Sequence, residues 1–341
     1  MHIPDGYLSP GTYISFYAVM VPIWYKASKV LKKTLKAKHA SYLALCAAFS
    51  FVIMMFNIPT PGGSTGHCVG GALVAIFLGP WAALMAISVV LIIQALLFGD
   101  GGITAIGANC FNMAVVMPFT GYYVYKILSS GSEISSKRRI FAAGIAGYLS
   151  LNLSAIFTAV EFGIQPFIAQ ASDGTPLYAP YPLSIAVPVM AVEHLAFFGF
   201  VEAFVTALVL AHVARREPSI LGISGPAPAN ANGKRAASSK YLWAGLGILI
   251  LLTPLGLIAS GTAWGEWTAE ELRALFGFAP EKLKQIEGLW PSLMADYKLH
   301  GWDNPLMSAL GYILSAVLGV VVIVTISFVV SRFLFSKERS G

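Results

Sequence analysis

The sequence predicts an all-α polytopic membrane protein, and three observations carry that reading. Apolar residues make up 57% of the 341 residues and charged residues only 11%, against about 25% charged in a soluble domain. The apolar residues gather into runs approaching the roughly 20 residues that a bilayer-spanning helix needs. Lys and Arg then cluster in alternate connections between those runs, as the positive-inside rule demands. A net charge of +6 is therefore a statement about topology. The partner it implies is the lipid bilayer, not nucleic acid.

Nine runs read as spans, at about 11–25, 40–57, 69–79, 81–98, 103–127, 139–164, 185–213, 241–260 and 306–331. The first seven form a body over residues 1–215. Residues 216–240, rich in Pro, Ala, Gly and Ser, read as a cytoplasmic linker. The last two spans make a C-terminal module, 241–341, with an outer loop at about 262–305. Of the 22 basic residues, all but Arg273, Lys282, Lys284 and Lys298 fall on one side of this map, and those four share the one outer loop. The N-terminus is thus expected outside and the C-terminus in the cytoplasm, in a multi-pass cell-membrane protein.

The chain opens on Met1-His2-Ile3-Pro4-Asp5-Gly6-Tyr7-Leu8-Ser9-Pro10. A histidine in second position gathers three nitrogens: the Met1 amine, the His2 backbone nitrogen and the His2 imidazole. An ion that takes all three closes a five-membered and a six-membered chelate ring. Displacing the amide proton favours Ni(II) and Cu(II) over Zn(II) or Mg(II), and a tetragonal nitrogen site suits the same metals. The ordinary alternative is a frayed tail. Against it, Pro4, Gly6 and Pro10 mark a fixed, turn-rich segment. No basic stretch precedes the first apolar run, so a cleaved signal peptide is not expected, and the bulky His2 is expected to protect Met1 from removal.

One in-plane position of such a site stays open. The connection after the second span, 57–67, is rich in Pro and Gly and ends on His67, which can supply the fourth nitrogen. With Ser64 and Thr65 it reads as a flexible gate over a small ligand. The third span is short and closed by Gly79-Pro80-Trp81. It suits a broken or re-entrant hairpin, which a membrane tolerates only where the freed backbone is buried or lines a cavity.

Polar residues within the later spans are functional candidates: Gln94, Asp100, Asn109, Asn112, Asn152, Glu161, Glu193, His194 and Glu202. A metal-bound histidine usually has its other nitrogen held by a carboxylate, carbonyl or amide. Gln94, Asp100 and Asn109 are placed for that, with Asp5 beside His2 as a further candidate. The alternative for them is interhelical hydrogen bonding, worth about 0.6 kcal/mol each. Glu193-His194 reads as metal support, proton relay or packing. His39 and His212 read as interfacial, and Cys46, Cys68 and Cys110, without a C-x-x-C spacing, as small hydrophobes. Small residues at Gly66 and Gly70, Ala82 and Ala86, and Gly144 and Gly147 permit close helix approach, for internal packing or for a partner membrane subunit.

The outer loop of the C-terminal module carries Glu266, Glu270, Glu271, Glu281, Glu287, Asp296 and Asp303. A capping box, Thr268 with Glu271, starts a helix there. The loop reads as a solvated amphipathic cap, the alternative being metal handling by His300 or the acids.

No G-x-x-x-x-G-K-[ST] loop occurs, and Gly233-Lys234 is followed by arginine. Neither an H-E-x-x-H motif nor a nucleophile elbow is present. The expectation is a transporter component without an organic cofactor and not an enzyme, with any ATP hydrolysed by partners.

The four segments Met-His-Ile-Pro-Asp-Gly-Tyr-Leu-Ser-Pro, Pro-Gly-Gly-Ser-Thr-Gly-His at 61–67, Gln-Ala-Leu-Leu-Phe-Gly-Asp-Gly-Gly at 94–102 and Gly-Ala-Asn-Cys-Phe-Asn-Met at 107–113 together resemble the CbiM/NikM family. These are the substrate-binding components of nickel and cobalt energy-coupling-factor transporters, a subgroup of ABC transporters. The resemblance covers about residues 1–215. It implies that Met1, His2 and His67 carry the metal, and that a transmembrane coupling component and two cytoplasmic ATPase subunits complete the transporter. The C-terminal pair of spans resembles the family's two-span accessory subunit, here fused. Thr253-Pro254-Leu255-Gly256-Leu257 stands where its Pro-Asp-Gly-Leu-Glu signature is expected. The wording around His67 resembles the nickel branch, with Co(II) uptake for cobalamin synthesis as the alternative.

Two rival readings differ in kind. One is a self-sufficient, proton-coupled carrier using Glu161, Glu193, His194 and Glu202. The other is an intramembrane metal hydrolase, disfavoured because four protein nitrogens in a plane leave no in-plane site for water.

Overall fold

Helix initiation and termination follow the Pro and Gly positions closely. The computed structural model describes residues 1–34, 39–133, 136–216, 220–222, 240–259 and 261–335, with side chains to Val330. Helix α1, Pro10–Thr34, starts on a proline at its first position, where the missing N–H costs nothing. It is followed by α2, Ala40–Met54. A two-residue antiparallel ladder comes next, β1 (Ile58–Pro59) against β2 (Thr65–Gly66). Then come α3, Gly71–Leu78, and α4, Pro80–Ile93, divided at Gly79 with φ 85.

A short helix α5 (Ile106–Asn109) and a π-helical segment (Cys110–Val116) run into α6, Met117–Leu128. Helix α7 spans Lys137–Ile168, and α8 (Leu183–Glu193) continues through a π turn into α9 (Gly199–Arg216). The C-terminal part holds α10 (Lys240–Leu252), α11 (Ala269–Phe276), α12 (Glu281–Ile286) and α13 (Pro305–Phe335). The expected capping box is present: Thr268 accepts from the Glu271 amide while Glu271 accepts from the Thr268 amide.

Among the described residues, five continuous helical stretches are long and apolar enough to cross a bilayer: Pro80–Phe98, Lys137–Ile168, Leu183–Arg216, Lys240–Ile258 and Pro305–Val330. The third expected span falls short. Helix α3 has eight residues, all buried, and rises only about 12 Å. Gly79 and Pro80, both half-exposed, then turn the chain into α4. Most of the expected linker, 217–219 and 223–239, lies outside the described residues, as do Lys36, Lys38, Lys337 and Arg339.

The C-terminal module is not a separate body. Leu246, Tyr297, Tyr312, Ala316 and Ile323 share one buried cluster with Phe51, Val69 and Phe98. Helix α13 lies so close to α2 that a Cβ on Gly319 would overlap the Phe51 ring. Gly147 does the same for α7 and α9, since a Cβ there would lie 2.9 Å from Thr206 Oγ1. Its small side is spent on internal packing. All three cysteines are free and buried.

Among the described residues, three π-helical segments interrupt the spans, at Gln94–Phe98, Cys110–Val116 and His194–Phe198. They carry Gln94, Asn112 and His194, three of the polar residues singled out by sequence. Such bulges concentrate at functional sites because the extra residue redirects a side chain out of the regular helical register.

Candidate metal site

The amino end of the chain is threaded into the interior. His2 is 2% exposed and Ile3 is fully buried, with Tyr7 and Leu8 close behind. Asn109 clamps the Ile3 peptide from both sides: its Oδ1 accepts from the Ile3 amide at 2.8 Å and its Nδ2 donates to the Ile3 carbonyl at 3.2 Å. The Gly102 amide also donates to that carbonyl, at 2.8 Å. Asp5 accepts from the amides of Ile103 (3.1 Å) and Thr104 (2.8 Å). Farther along, Ser9 N donates to Gln165 Oε1 at 2.9 Å and Ala179 N to the Tyr7 carbonyl at 3.0 Å. Every polar group in this run needs a partner once it leaves water, so the segment is built to be inside. The frayed-tail alternative is excluded.

This thread sets His2 against His67, ring centre to ring centre at 5.2 Å. Two imidazoles that each place a nitrogen about 2 Å from one shared ion have centres roughly 4.5–6.5 Å apart. His67 Nδ1 lies 3.0 Å from the Cys68 carbonyl. A carbonyl only accepts, so Nδ1 carries the proton and Nε2 presents a lone pair. Burial, together with His2 and the positive amino terminus, pushes the His67 pKa down to about 3, which keeps the ring neutral.

His2 Nδ1 lies 2.8 Å from Asp100 Oδ1, and His2 Nε2 is buried without a partner. The six-membered ring of the expected chelate needs Nδ1 on the ion. In the present orientation Nδ1–H belongs to Asp100, and closing that ring requires the imidazole to turn over. Burial tends to raise the Asp100 carboxyl, but His2, His67 and the Tyr297 hydroxyl hold it well below the usual carboxylate range.

The segment expected as a flexible gate is a short hairpin. Thr60 N donates to the Ser64 carbonyl at 2.8 Å, and Gly62 and Gly63 take the positive φ values of the tip. Past His67 the chain is held by Glu202 on α9, whose carboxylate accepts from Val69 N at 2.9 Å and Gly70 N at 3.0 Å. Phe198, one turn earlier, packs where Gly66 leaves room.

The C-terminal module roofs the site: most of its outer loop is exposed, as the solvated-cap reading expects, while Glu266 and Tyr297 reach inward. Glu266 Oε1 pairs with the Met1 amine at 2.9 Å. Trp264 N donates to Ser64 Oγ at 3.0 Å and Thr65 Oγ1 to the Gly261 carbonyl at 3.2 Å. Tyr297 donates to Asp100 Oδ2 and accepts from Gln94 Nε2 at 3.0 Å. Between body and module lies a cavity of about 650 Å³, bordered by His67, Asp100, Glu266 and Tyr297. A second space of about 10 Å³, near the minimum for one water, touches Met1, His67, Glu193 and His194.

The residues of the proton-coupled alternative are each engaged locally. Glu202 holds the Val69 and Gly70 amides, Glu161 accepts from Asn112 Nδ2 at 2.9 Å, and His194 Nδ1 meets the Met190 carbonyl at 2.8 Å. Glu193 takes a hydrogen bond from Ser64. His212 and His300 are exposed and His39 is half-buried. Among the described residues, no group of three or more His, Cys, Asp or Glu side chains is arranged to hold a metal. A metal held at His2 and His67 would need further donors, such as main-chain nitrogen. Sequence reasoning did not single out Tyr297, Gly102 or Phe198 for the site, and it weighed Glu266 only as one of the loop's acids. Nothing local in the outer loop pointed Tyr297 inward, and the long-range partners of Gly102 and Phe198 emerge only on folding.

Residues 2–220 match the CbiM family model, described as the cobalt uptake substrate-specific transmembrane region, and residues 239–336 match the PDGLE domain, despite the altered signature at 253–257. The chain is 48% identical to the fused nickel transport protein NikMN of Rhodobacter capsulatus, over 95% of either chain. It is 41% identical to the probable fused nickel transport protein LarMN of Lactiplantibacillus plantarum, over 94% of this chain and 95% of that one. The cobalt transport protein CbiM of Ruminiclostridium cellulolyticum is 36% identical over 48% of this chain and 64% of its own. A crystal structure of a truncated transition metal transporter superposes with a TM-score of 0.59 at 46% identity, covering 63% of this chain and 99% of that one.

Proposed function

The chain belongs to the CbiM family of cobalt-uptake transmembrane proteins, with a C-terminal PDGLE domain, and on that premise we propose that it captures Ni(II) as cargo from outside the membrane. The cargo ligands are the Met1 amine, the His2 backbone nitrogen, the His2 imidazole and the His67 imidazole. The observation that carries this is the burial of His2 with one ring nitrogen lacking a partner, 5.2 Å from the His67 ring. A tail without function has no reason to bury an unpaired imidazole nitrogen.

The protein's own groups prepare this site. His67 is kept neutral by burial, so no proton competes for its lone pair near neutral pH. Glu266 neutralises the Met1 amine until the ion replaces that partner. Asp100 and Glu266 supply negative charge beside a divalent ion, which offsets the cost of taking it out of water. Asp100 also receives the N–H of whichever His2 nitrogen the ion does not use, the usual support for a metal-bound imidazole. The 57–67 hairpin and the C-terminal roof close the site. The cell membrane holds the protein with its N-terminus outside, seven crossings or partial crossings in the body and two in the module, and the C-terminus in the cytoplasm. A transmembrane coupling component and two ATPase subunits supply the energy for release inward.

Co(II) is the second reading, favoured by the description of the family and by the cobalt-transporting relative. Titration of the purified chain with each metal, followed by visible absorption, tests both. A yellow, diamagnetic, one-to-one nickel species, lost in His67→Ala and on insertion of one alanine before His2, is the expected result. Equal affinity in the insertion variant refutes the ligand set, and tighter Co(II) binding moves the cargo to cobalt.

A further inference from the structure

Tyr297 belongs to the C-terminal module, yet its hydroxyl ends inside the body. It donates to Asp100 Oδ2, and Gln94 Nε2 donates to Tyr297 at 3.0 Å and to Asp100 Oδ2 at 3.2 Å. The other oxygen of the same carboxylate, Oδ1, takes His2 Nδ1 at 2.8 Å. Asp100 therefore has one oxygen anchored by the module and the other committed to the histidine. A carboxylate on a Gly-rich turn, between Gly99 and Gly101 at φ 66 and 84, has little backbone stiffness of its own. The anchor has to come from outside the turn.

The placement of Tyr297 is itself constrained. Asp296 and Tyr297, at φ 51 and 61, are the non-glycine residues of positive φ among those described. Such backbone persists only where the surroundings over-determine it. Here the Tyr297 ring stacks on Phe98 at 4.8 Å and meets Tyr312 edge-on at 5.6 Å. Ser315 Oγ donates to its carbonyl at 2.8 Å. The ring is gripped from both modules while the hydroxyl is aimed at one carboxylate oxygen.

We propose that Tyr297 is a positioning residue for cargo binding: it anchors the Asp100 carboxylate, so that the C-terminal module supports the metal site without contributing a ligand. That carboxylate receives the His2 ring N–H that the ion leaves free, Nδ1–H in the metal-free chain and Nε2–H once the ring has turned over. This rests on the assignment of His2 as a cargo ligand, and it adds the module's contribution. A planar four-nitrogen site demands that both imidazoles be aimed within narrow limits. Removing one link of such a hydrogen-bonded support typically costs 10–100-fold in metal affinity.

The test uses the full chain in detergent or lipid nanodiscs, titrated with Ni(II) against a chromophoric chelator. Tyr297→Phe deletes the hydroxyl and keeps the ring on Phe98. It is expected to weaken Ni(II) by about 10–100-fold, with an unchanged melting temperature of the metal-free protein and an unmoved visible band, since no ligand nitrogen is lost. Asp100→Asn is expected to weaken binding at least as much, and the double variant to match Asp100→Asn alone, because Tyr297 acts through Asp100. Gln94→Leu, which leaves the tyrosine untouched, should show a smaller loss in the same direction.

Wild-type affinity in Tyr297→Phe, additive losses in the double variant, or a shifted band overturns the proposal. If Tyr297→Phe does not fold, wild-type affinity in Gln94→Leu overturns it. Absence of one-to-one nickel binding in the unaltered chain would sink the ligand assignment instead, so the two failures are told apart.

Discussion

Replacing Gly102 by alanine tests whether cargo binding depends on the buried thread. Gly102 has no positive φ, so alanine is allowed by its backbone and only packing changes. A Cβ there would lie 2.6 Å from Asp5 Oδ1 and 2.6 Å from the Pro4 carbonyl carbon, and closer still to the Asp5 amide, where ordinary contact starts at 3.4 Å. The amino end and the turn must therefore part by about 0.8 Å or more, against their bonds at Gly102, Ile103 and Thr104. Overpacking of this kind costs about 1–3 kcal/mol. The thread carries the proposed ligands and the turn 99–104, half-exposed beside the cavity, carries Asp100, so whichever part gives way disturbs the site. Strain relieved by that shift appears in the nickel equilibrium as a loss of about 5–150-fold. Gly11→Ala is the matched control: nothing lies within 4 Å of its Cβ, and in α1 it should stabilise slightly, by up to about 1 kcal/mol. Competition titration with Ni(II), with melting temperatures alongside, reads both. Wild-type nickel affinity in Gly102→Ala would refute the thread as the carrier of the ligands.

The remaining predictions concern the other side of the site and its protons. Nickel binding should release about two protons per ion near neutral pH, one from the amine and one from the His2 amide. His67, pushed down to about 3, is already neutral and adds none. Its depressed pKa means that its proton returns only as pH falls through about 3, so it adds nothing to the pH dependence above that. Calorimetry in buffers of different ionisation enthalpy counts the protons, and release of only one rules out the backbone nitrogen as a ligand. Gly66→Ala would place a Cβ 2.5 Å from Phe198 Cζ, displacing the neighbouring His67. It should lower nickel affinity by about tenfold or more, and Phe198→Ala in the same chain should recover much of it. Additive losses in the double variant would show that Phe198 does not set the His67 position.

Several features of the site were legible because they depend on local order. His2 in second position, Pro4 and Pro10 around it, and His67 after a Pro- and Gly-rich connection are each visible in a few consecutive residues. Gln94, Asp100 and Asn109 stood out because polar groups are rare in apolar runs. Of their contacts only that of Asp100 with His2 was legible. Asn109 holds the Ile3 peptide, not a histidine. Glu202 looked like a candidate proton carrier and instead secures the Val69 and Gly70 amides. The ring nitrogen that His2 turns to Asp100 is a choice between two faces of one imidazole, and no spacing encodes it.

Composition, apolar run length and the distribution of Lys and Arg determined by themselves that this is a helical membrane protein. These are sums over many residues, and no single contact can reverse them. Only the tertiary structure decided that the outer loop of the C-terminal module folds back over the amino end, bringing Glu266 to Met1 and Tyr297 to Asp100 across 265 and 197 residues of chain. The reason is physical. An exposed acidic loop and a roof over a cation site have the same composition, and what separates them is whether α13 packs on α2 closely enough to carry Tyr297 into the body. That packing is set by Gly319 against Phe51, a meeting of two surfaces far apart in the sequence.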